Sequence, residues 1–449
     1  MSTFSVGGLG TGIDYTTMIE QIIKLERRPL QLKASRQQGF QTKISRFGEL
    51  SSLLDKLKTA SNGLNTSANF YTRQATASNR DVVNVSASSS AVQGNYSVVV
   101  NQLAQAHRIA SSSIADANAP VAGASGNFSF TVGGGEEISV AVNENTTLNQ
   151  LAAAINAATD QADASVINDG TGFRLVLKST ATGAGNAITV TQNDTSIGLP
   201  TGGVSGGQVL QVAQDAVFSI DGLTMTRSTN NIDGAIRGVS LTLKSVGTSN
   251  ISIANDTGSI QEKIQSFVDA YNEVARFVSA NTSFNSQTGV AGAFLGESTA
   301  REVVGRLQMI FGGRVEGLPD NLSSLAHIGI STQRDGTLKL DTAVLSERLE
   351  SDLSGVARIF TSENGVAASV SRQVDLAINS STGSITFRTK GLQSIVSRIT
   401  NEIERGEANL KKREENLLGQ FSRLEALMTQ FQSNASALSG IIGALNNNR

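Results

Sequence analysis

The 449-residue chain has no cysteine, no tryptophan, four prolines and two histidines. Without cysteine there are no disulfides and no thiol chemistry. His107 and His327 lie far apart in sequence and both read as structural. Neither a Ser/His/Asp spacing nor a metal-ligand cluster is present, so the sequence predicts no enzyme, no metal and no cofactor. No segment reaches 18 consecutive apolar residues, so no membrane-spanning helix is expected. The opening Met-Ser-Thr-Phe-Ser-Val-Gly-Gly lacks the basic and apolar regions of a secretory leader. Secretion would then need a route without a cleaved signal. The net charge of -2 gives no basic signal for nucleic acid.

The chain is long enough for about three domains at ~150 residues each. Its charge is unevenly spread. Residues 1–60 hold nine Lys/Arg and five Asp/Glu, whereas residues 111–256 hold five and twelve. The basic part has helical periodicity and the acidic part has strand periodicity, so the two are expected to meet different partners.

The strongest pattern is at the C-terminus, from about Thr386 to Leu445. Val396, Ile399, Ile403, Leu410, Leu417, Phe421, Leu424, Met428, Phe431, Ala435, Leu438, Ile442 and Leu445 follow alternating spacings of three and four. That is a coiled-coil seam. Gly406 and Arg413 occupy two seam positions. The four-residue step from Leu417 to Phe421 is a stutter, read here as a boundary. Above it the helix should join an inner bundle; below it, a mobile leg. A helix of this length cannot bury its own seam and requires a partner.

Asp14 is a good N-cap for a helix from Tyr15 to Arg28, with Pro29 expected to kink or end it. The glycine-rich run from Gly8 to Gly12 has no preceding strand and no following Lys-Ser/Thr, so it is not a phosphate loop. A second helix should run from about Gln31 to Asn62, with Phe40, Ile44, Phe47, Leu50, Leu54 and Leu57 on its apolar face. From Phe70 the period changes to two. Strands are expected around Val82–Val85 and Tyr96–Val100, with a turn at Gln93-Gly94-Asn95. Residues 111–215 form a separate β-rich zone with one short helix, Thr147 to Ala158. Asp221-Gly222 is a hairpin turn. Helices resume at Ser259, again from Arg301 to Phe311, and from Asp341 to Leu349.

The predicted fold class is therefore α+β and multi-domain. Terminal helices form a coiled coil and a helical bundle, with nested β-rich head domains inserted between them. The expected segments are 1–35 with 420–449 as a leg, 36–69 with 257–419 as a bundle, 70–110 with 216–256 as a β domain, and 111–215 as an outer head. Leu9, Ile13, Met18, Ile22 and Leu25 are expected to face Phe421, Leu424, Met428, Phe431, Leu438, Ile442 and Leu445 along the leg.

Several stretches carry a family resemblance. Gly7-Gly8-Leu9-Gly10-Thr11-Gly12-Ile13-Asp14, with Glu26-Arg27-Arg28-Pro29-Leu30, resembles the start of the flagellar filament cap family (flagellar hook-associated protein 2). Tyr96 to Val100 with Leu103-Ala104 and His107, Ala216 to Gly222 with Gly238 to Leu243, and Gln420-Phe421 with Leu424-Glu425 and Met428 resemble later parts in the same order. The central unit, through Thr147-Leu148 and Ala154-Ile155-Asn156, resembles a repeat of flagellins and hook proteins.

The resemblance implies a ring-forming cap at the distal end of the flagellar filament, outside the cell. It would be exported through the flagellar type III channel and would promote folding and insertion of flagellin. Implied partners are further copies of the chain, flagellin, a hook–filament junction protein and an export chaperone. Another flagellar axial protein, or a surface adhesin, is the alternative.

Overall fold

A computed structural model describes residues 14–201, 205–287 and 289–446. The architecture is α+β. Two compact units divide the chain: residues up to 70 with those from 257 onward, and residues 71–256.

The helical unit holds α1 (Tyr15–Asn62), α3 (Thr257–Thr282), α4 (Ser298–Gly312), α5 (Thr342–Ser351), α6 (Leu353–Thr361), α7 (Val366–Ile378) and α8 (Ser384–Asn446); α2 (Leu148–Ala158) belongs to the other unit. Asp14 caps α1, its carboxylate accepting from Thr17 N at 3.0 Å. The Thr17 hydroxyl, which also donates to this carboxylate, and then that amide hold the Asp14 carboxyl below its ordinary value. Pro29 does not end the helix, one of the two outcomes expected there: α1 is continuous through it. Proline withholds the amide that would bond the carbonyl four residues earlier. Here that residue is Leu25, which is exposed, so water can serve its carbonyl. Contacts to α8 lie on both sides of Pro29, through Glu26 and Arg27 before it and Lys33 after it.

The core of this unit is assembled from one face of each helix. Phe47, Leu50, Leu54 and Leu57 of α1 pack with Phe267 and Tyr271 of α3, Leu307 and Phe311 of α4, Phe360 of α6 and Val370 of α7. Tyr271 and Phe311 meet edge to face at 4.5 Å, a favoured ring geometry. Polar groups in this core are paired. The Tyr271 hydroxyl donates to Gly336 O at 2.7 Å, and burial raises its pKa to about 12. Asn272 exchanges two hydrogen bonds with the backbone of Leu338, as a strand neighbour would.

Residues 71–256 form the β unit, with two cores. One lies around a five-stranded sheet ordered Arg73–Ala77, Gly247–Asn255, Gly94–Gln102, Ala216–Ile220, Leu223–Arg227, with a three-stranded sheet, Asn231–Ile236, Val239–Leu243, Val83–Ala87. Gly94 and Asn95, expected as a turn, are strand residues paired with Ile253 and Ser252. The Asp221-Gly222 hairpin is present, both residues having positive φ, as a primed two-residue turn requires. Asp221 Oδ1 also accepts from Ser97 N at 2.8 Å.

The second core lies around Gln208–Gln211, Ala106–Ala110, Phe173–Thr182, Ala162–Asn168 and around Ile138–Val142, Gly126–Val132, Ile188–Asn193, with α2 packed on them. Thr147 and Gln150 form a reciprocal capping box at the start of α2. Asn156 then fastens α2 to Ala164 by two backbone hydrogen bonds. The strand Ala106–Ala110 pairs into this outer sheet rather than with the segment 70–105 that precedes it. The handover between the two cores lies at the Gln105–Gln214 bridge.

Candidate protein-binding surface of the terminal helices

Within the helical unit α1 and α8 run antiparallel in a constant register. Gln37 donates to Thr400 at 2.6 Å, Lys33 to Glu402 at 2.8 Å, and Arg27 lies 3.2 Å from Glu407. Leu30 sits opposite Gly406, where a Cβ would overlap its side chain. Arg413 reaches Glu26 at 3.4 Å. Thus the two non-apolar seam positions have partners on α1. Gly406 admits Leu30, and Arg413 exchanges an apolar contact for a charged one.

Toward the chain ends the contact thins. Tyr15, Ile19 and Ile23 are the last buried residues of α1, packed on Leu417 and Phe421. Tyr15 stacks on Phe421 with ring planes 6° apart and centroids at 5.8 Å. Its hydroxyl donates to Glu425 at 2.7 Å, a bond that raises the Tyr15 pKa. Met18 and Leu25, expected on this seam, are exposed in the single chain, and Ile22 is half-buried. The face that meets α8 is therefore rotated from the expected one. Leu9 and Ile13 lie outside the described residues. Leu445 is described as helical, without its side-chain surroundings.

Beyond Phe421 the seam is bare. Leu424, Met428, Leu438 and Ile442 are about half exposed or more, and Phe431 is 65% exposed. Leu427 and Ile441 widen the strip. Scattered apolar side chains on a surface are ordinary, but a continuous row along one helix marks a binding face. Sequence spacing located this strip; that Tyr15 and Ile19 close its upper end was not read from the sequence, although both lie at helical spacing with Ile23.

Among the described residues no three His, Cys, Asp or Glu gather as a metal site, and no helix is long and apolar enough to cross a membrane. His107 is structural: its Nδ1 accepts from Ile188 N at 2.8 Å, and burial lowers its pKa. His327 Nδ1 accepts from Ser323 N at 3.3 Å.

A helical frame made from both chain ends, an inserted β unit and a bare apolar helix end define a structural protein of the assembly type. Comparison with known proteins agrees. The model of the flagellar hook-associated protein 2 N-terminus matches residues 11–107, that of its C-terminus residues 213–433, and that of the flagellin hook IN motif residues 127–181. The B-type flagellar hook-associated protein 2 of Pseudomonas aeruginosa is 30% identical over 478 residues, covering 98% of each chain. The flagellar hook-associated protein 2 of Escherichia coli K12 is 27% identical over 461 residues, again covering 98% of each. A crystal structure of the D1-D2-D3 domains of the Escherichia coli flagellar cap protein has a TM-score of 0.61 at 28% identity, covering 78% of this chain and 99% of that one. The chain belongs to the flagellar hook-associated protein 2 family. This is a structural family of the flagellum, not an enzyme family.

Proposed function

We propose that this chain caps the distal tip of the bacterial flagellar filament. The observation that carries the reading is the bare apolar strip from Leu424 to Ile442, on a chain of this family. Water penalises such a strip, and a protein partner relieves the penalty. In this reading several copies form a ring, and the terminal helices point into the growing filament. There the strip meets arriving flagellin, shelters its unfolded chain and guides its insertion. Leu9, Ile13, Met18, Ile22 and Leu25 complete the same surface once a partner is present. Export runs through the flagellar channel, which suits a chain without disulfides. An export chaperone covers the strip before secretion, and the hook–filament junction protein receives the first cap.

Weak repeated apolar contacts fit a cap that must shift each time a subunit is added. The basic N-terminal segment, net +4 over residues 1–60, adds an electrostatic attraction to flagellin. Its signature is weaker cap–flagellin binding at high salt.

The test is deletion of residues 1–35 and, separately, of 420–449, in cells that secrete flagellin. Loss of filaments with flagellin released into the medium is the expected result. Normal filaments from both truncated proteins overturn the reading.

A further inference from the structure

Higher on the α1–α8 pair, two depressions join. The first is an apolar notch of about 340 Å³ between the helices, formed by Ile44, Phe47 and Gly48 of α1 and Ile385, Thr386 and Thr389 of α8. Its floor is fully buried Phe47 and Ile385. The second is a shallow track of about 570 Å³ along the outer face of α8, carrying Lys390, Arg398 and Arg405. Lys390 and Gln393 belong to both. No carboxylate lines either one, and the nearby Glu402 is engaged by Lys33.

Gly48 borders the notch and leaves it open. A glycine inside a helix is costly relative to alanine. At Gly48 a Cβ would meet nothing within 4 Å, so packing within the chain does not require the glycine. The space is available to a side chain from outside.

The chain also carries a surface of matching chemistry. From Asp341 to Asp352, spanning α5 and its two caps, there are four carboxylates and one arginine. Val344, 36% exposed, stands at the start of the helix beside Gly329, and Glu347 and Glu350 follow, both exposed and in no ion pair among the described residues. Val344 and Glu347 are helical neighbours on one face. Glu347 and Glu350 lie about 4.5 Å apart along α5 and Lys390 and Arg398 about 12 Å apart along α8, so the two pairs meet through the reach of the long lysine and arginine side chains.

We propose that α5 of a second copy docks on this surface, with Val344 in the notch and Glu347 and Glu350 against Lys390 and Arg398. The inference rests on the ring proposed above and specifies one of its contacts. Because the two surfaces differ, the contact is head to tail, the kind that closes into a ring when repeated. One aliphatic side chain and two solvent-exposed ion pairs make a weak contact, so it sets the register of neighbours rather than holding them alone.

The experiment is sedimentation velocity of the full-length chain over a concentration series, at low and high salt. Gly48→Leu fills the notch, and its thermal unfolding is measured alongside to show that the chain folds. Self-association should weaken at least tenfold in Gly48→Leu, in the pair Glu347→Lys with Glu350→Lys, and in the pair Lys390→Glu with Arg398→Glu. Combining the two charge reversals should restore it. If the wild-type chain assembles and the folded Gly48→Leu and Glu347→Lys/Glu350→Lys chains assemble equally well, this contact is wrong while the ring stands. A wild-type chain that stays monomeric throughout overturns both. If it stays monomeric yet Gly48→Leu still abolishes capping, the notch belongs to a different protein and the second-copy assignment fails.

Discussion

Leu30 fills the space that Gly406 leaves open on α8, and the two lie within one turn of the Lys33–Glu402 and Arg27–Glu407 pairs. A side chain at 406 therefore pushes α1 and α8 apart where charged pairs hold them in register. Gly406→Leu should destabilise the helical unit by about 1–3 kcal/mol, the usual range for overpacking. Adding Leu30→Ala should recover part of that loss. Urea unfolding of the single and double variants measures both; equal stability of Gly406→Leu and wild type would show that the helices do not need this close approach.

Glu297, just before α4, is the most buried carboxylate of the helical unit. Arg388 of α8 donates to it twice, at 2.8 Å each, and Lys43 of α1 donates at 2.9 Å. The hydrogen bonds from Arg388 lead in holding its carboxyl below the ordinary 4.5. The folded state thus binds its proton less readily than the unfolded chain. This contribution to stability is complete above about pH 4.5 and is lost as pH falls through the depressed folded value. Glu297→Ala leaves two cations facing each other. A cost of about 2 kcal/mol is expected, below that of a fully buried pair because both cations reach solvent. Denaturation midpoints between pH 3 and 7, roughly the carboxylate range, should show a flatter acid limb for the variant.

His107 links two sheets of the β unit through its Nδ1, which accepts the Ile188 amide. Burial lowers its pKa from 6.5, so the folded state favours the neutral ring. Its contribution is fully present above pH 6.5 and declines as pH falls through the lowered folded value, where protonated Nδ1 can no longer accept. Hydrogen-exchange protection at Ile188 should fall over that range. His107→Ala should cost about 1–3 kcal/mol, the penalty of a buried amide left without an acceptor. It should also abolish the local pH dependence.

The strip beyond Phe421 should separate stability from function. Replacing Leu424, Met428 and Phe431 by serine removes no buried contact of the single chain. Each change should alter monomer stability by less than about 0.5 kcal/mol, while filament capping is lost. Phe421→Ala should behave differently. It removes the stack on Tyr15, worth about 1 kcal/mol, and should raise exchange in residues 15–25 without moving the global unfolding transition.

Much of this architecture could be read from spacing. The α8 seam and the α2, α4 and α5 helices follow from local periodicity and caps, and the Asp221-Gly222 turn from its dipeptide. The misreadings share a cause: a local signal outweighed by a distant partner. Gly94 and Asn95 resemble a turn until the strand near Ile253 pairs with them. Pro29 resembles a stop until α8 braces both flanks. Gly406 and Arg413 look like defects in the seam because Leu30 and Glu26 cannot be known from α8 alone. The helix α7 went unread: Val366, Val370, Val374 and Ala377 keep helical spacing, but the alanines and serines between them give little contrast. On the leg, periodicity identified the apolar residues without fixing which side of α1 faces inward.

The length of α8 has a mechanical consequence. Phe421 is its last residue packed on the buried Tyr15, Ile19 and Ile23, and the helix continues without interruption to Asn446. That makes a rod of roughly 38 Å beyond this contact, so a tilt of about 8° at its root moves the tip by about 5 Å, nearly one helical pitch. Small adjustments near Tyr15 and Phe421 are thereby converted into steps of subunit scale at the far end, with no hinge in the helix itself.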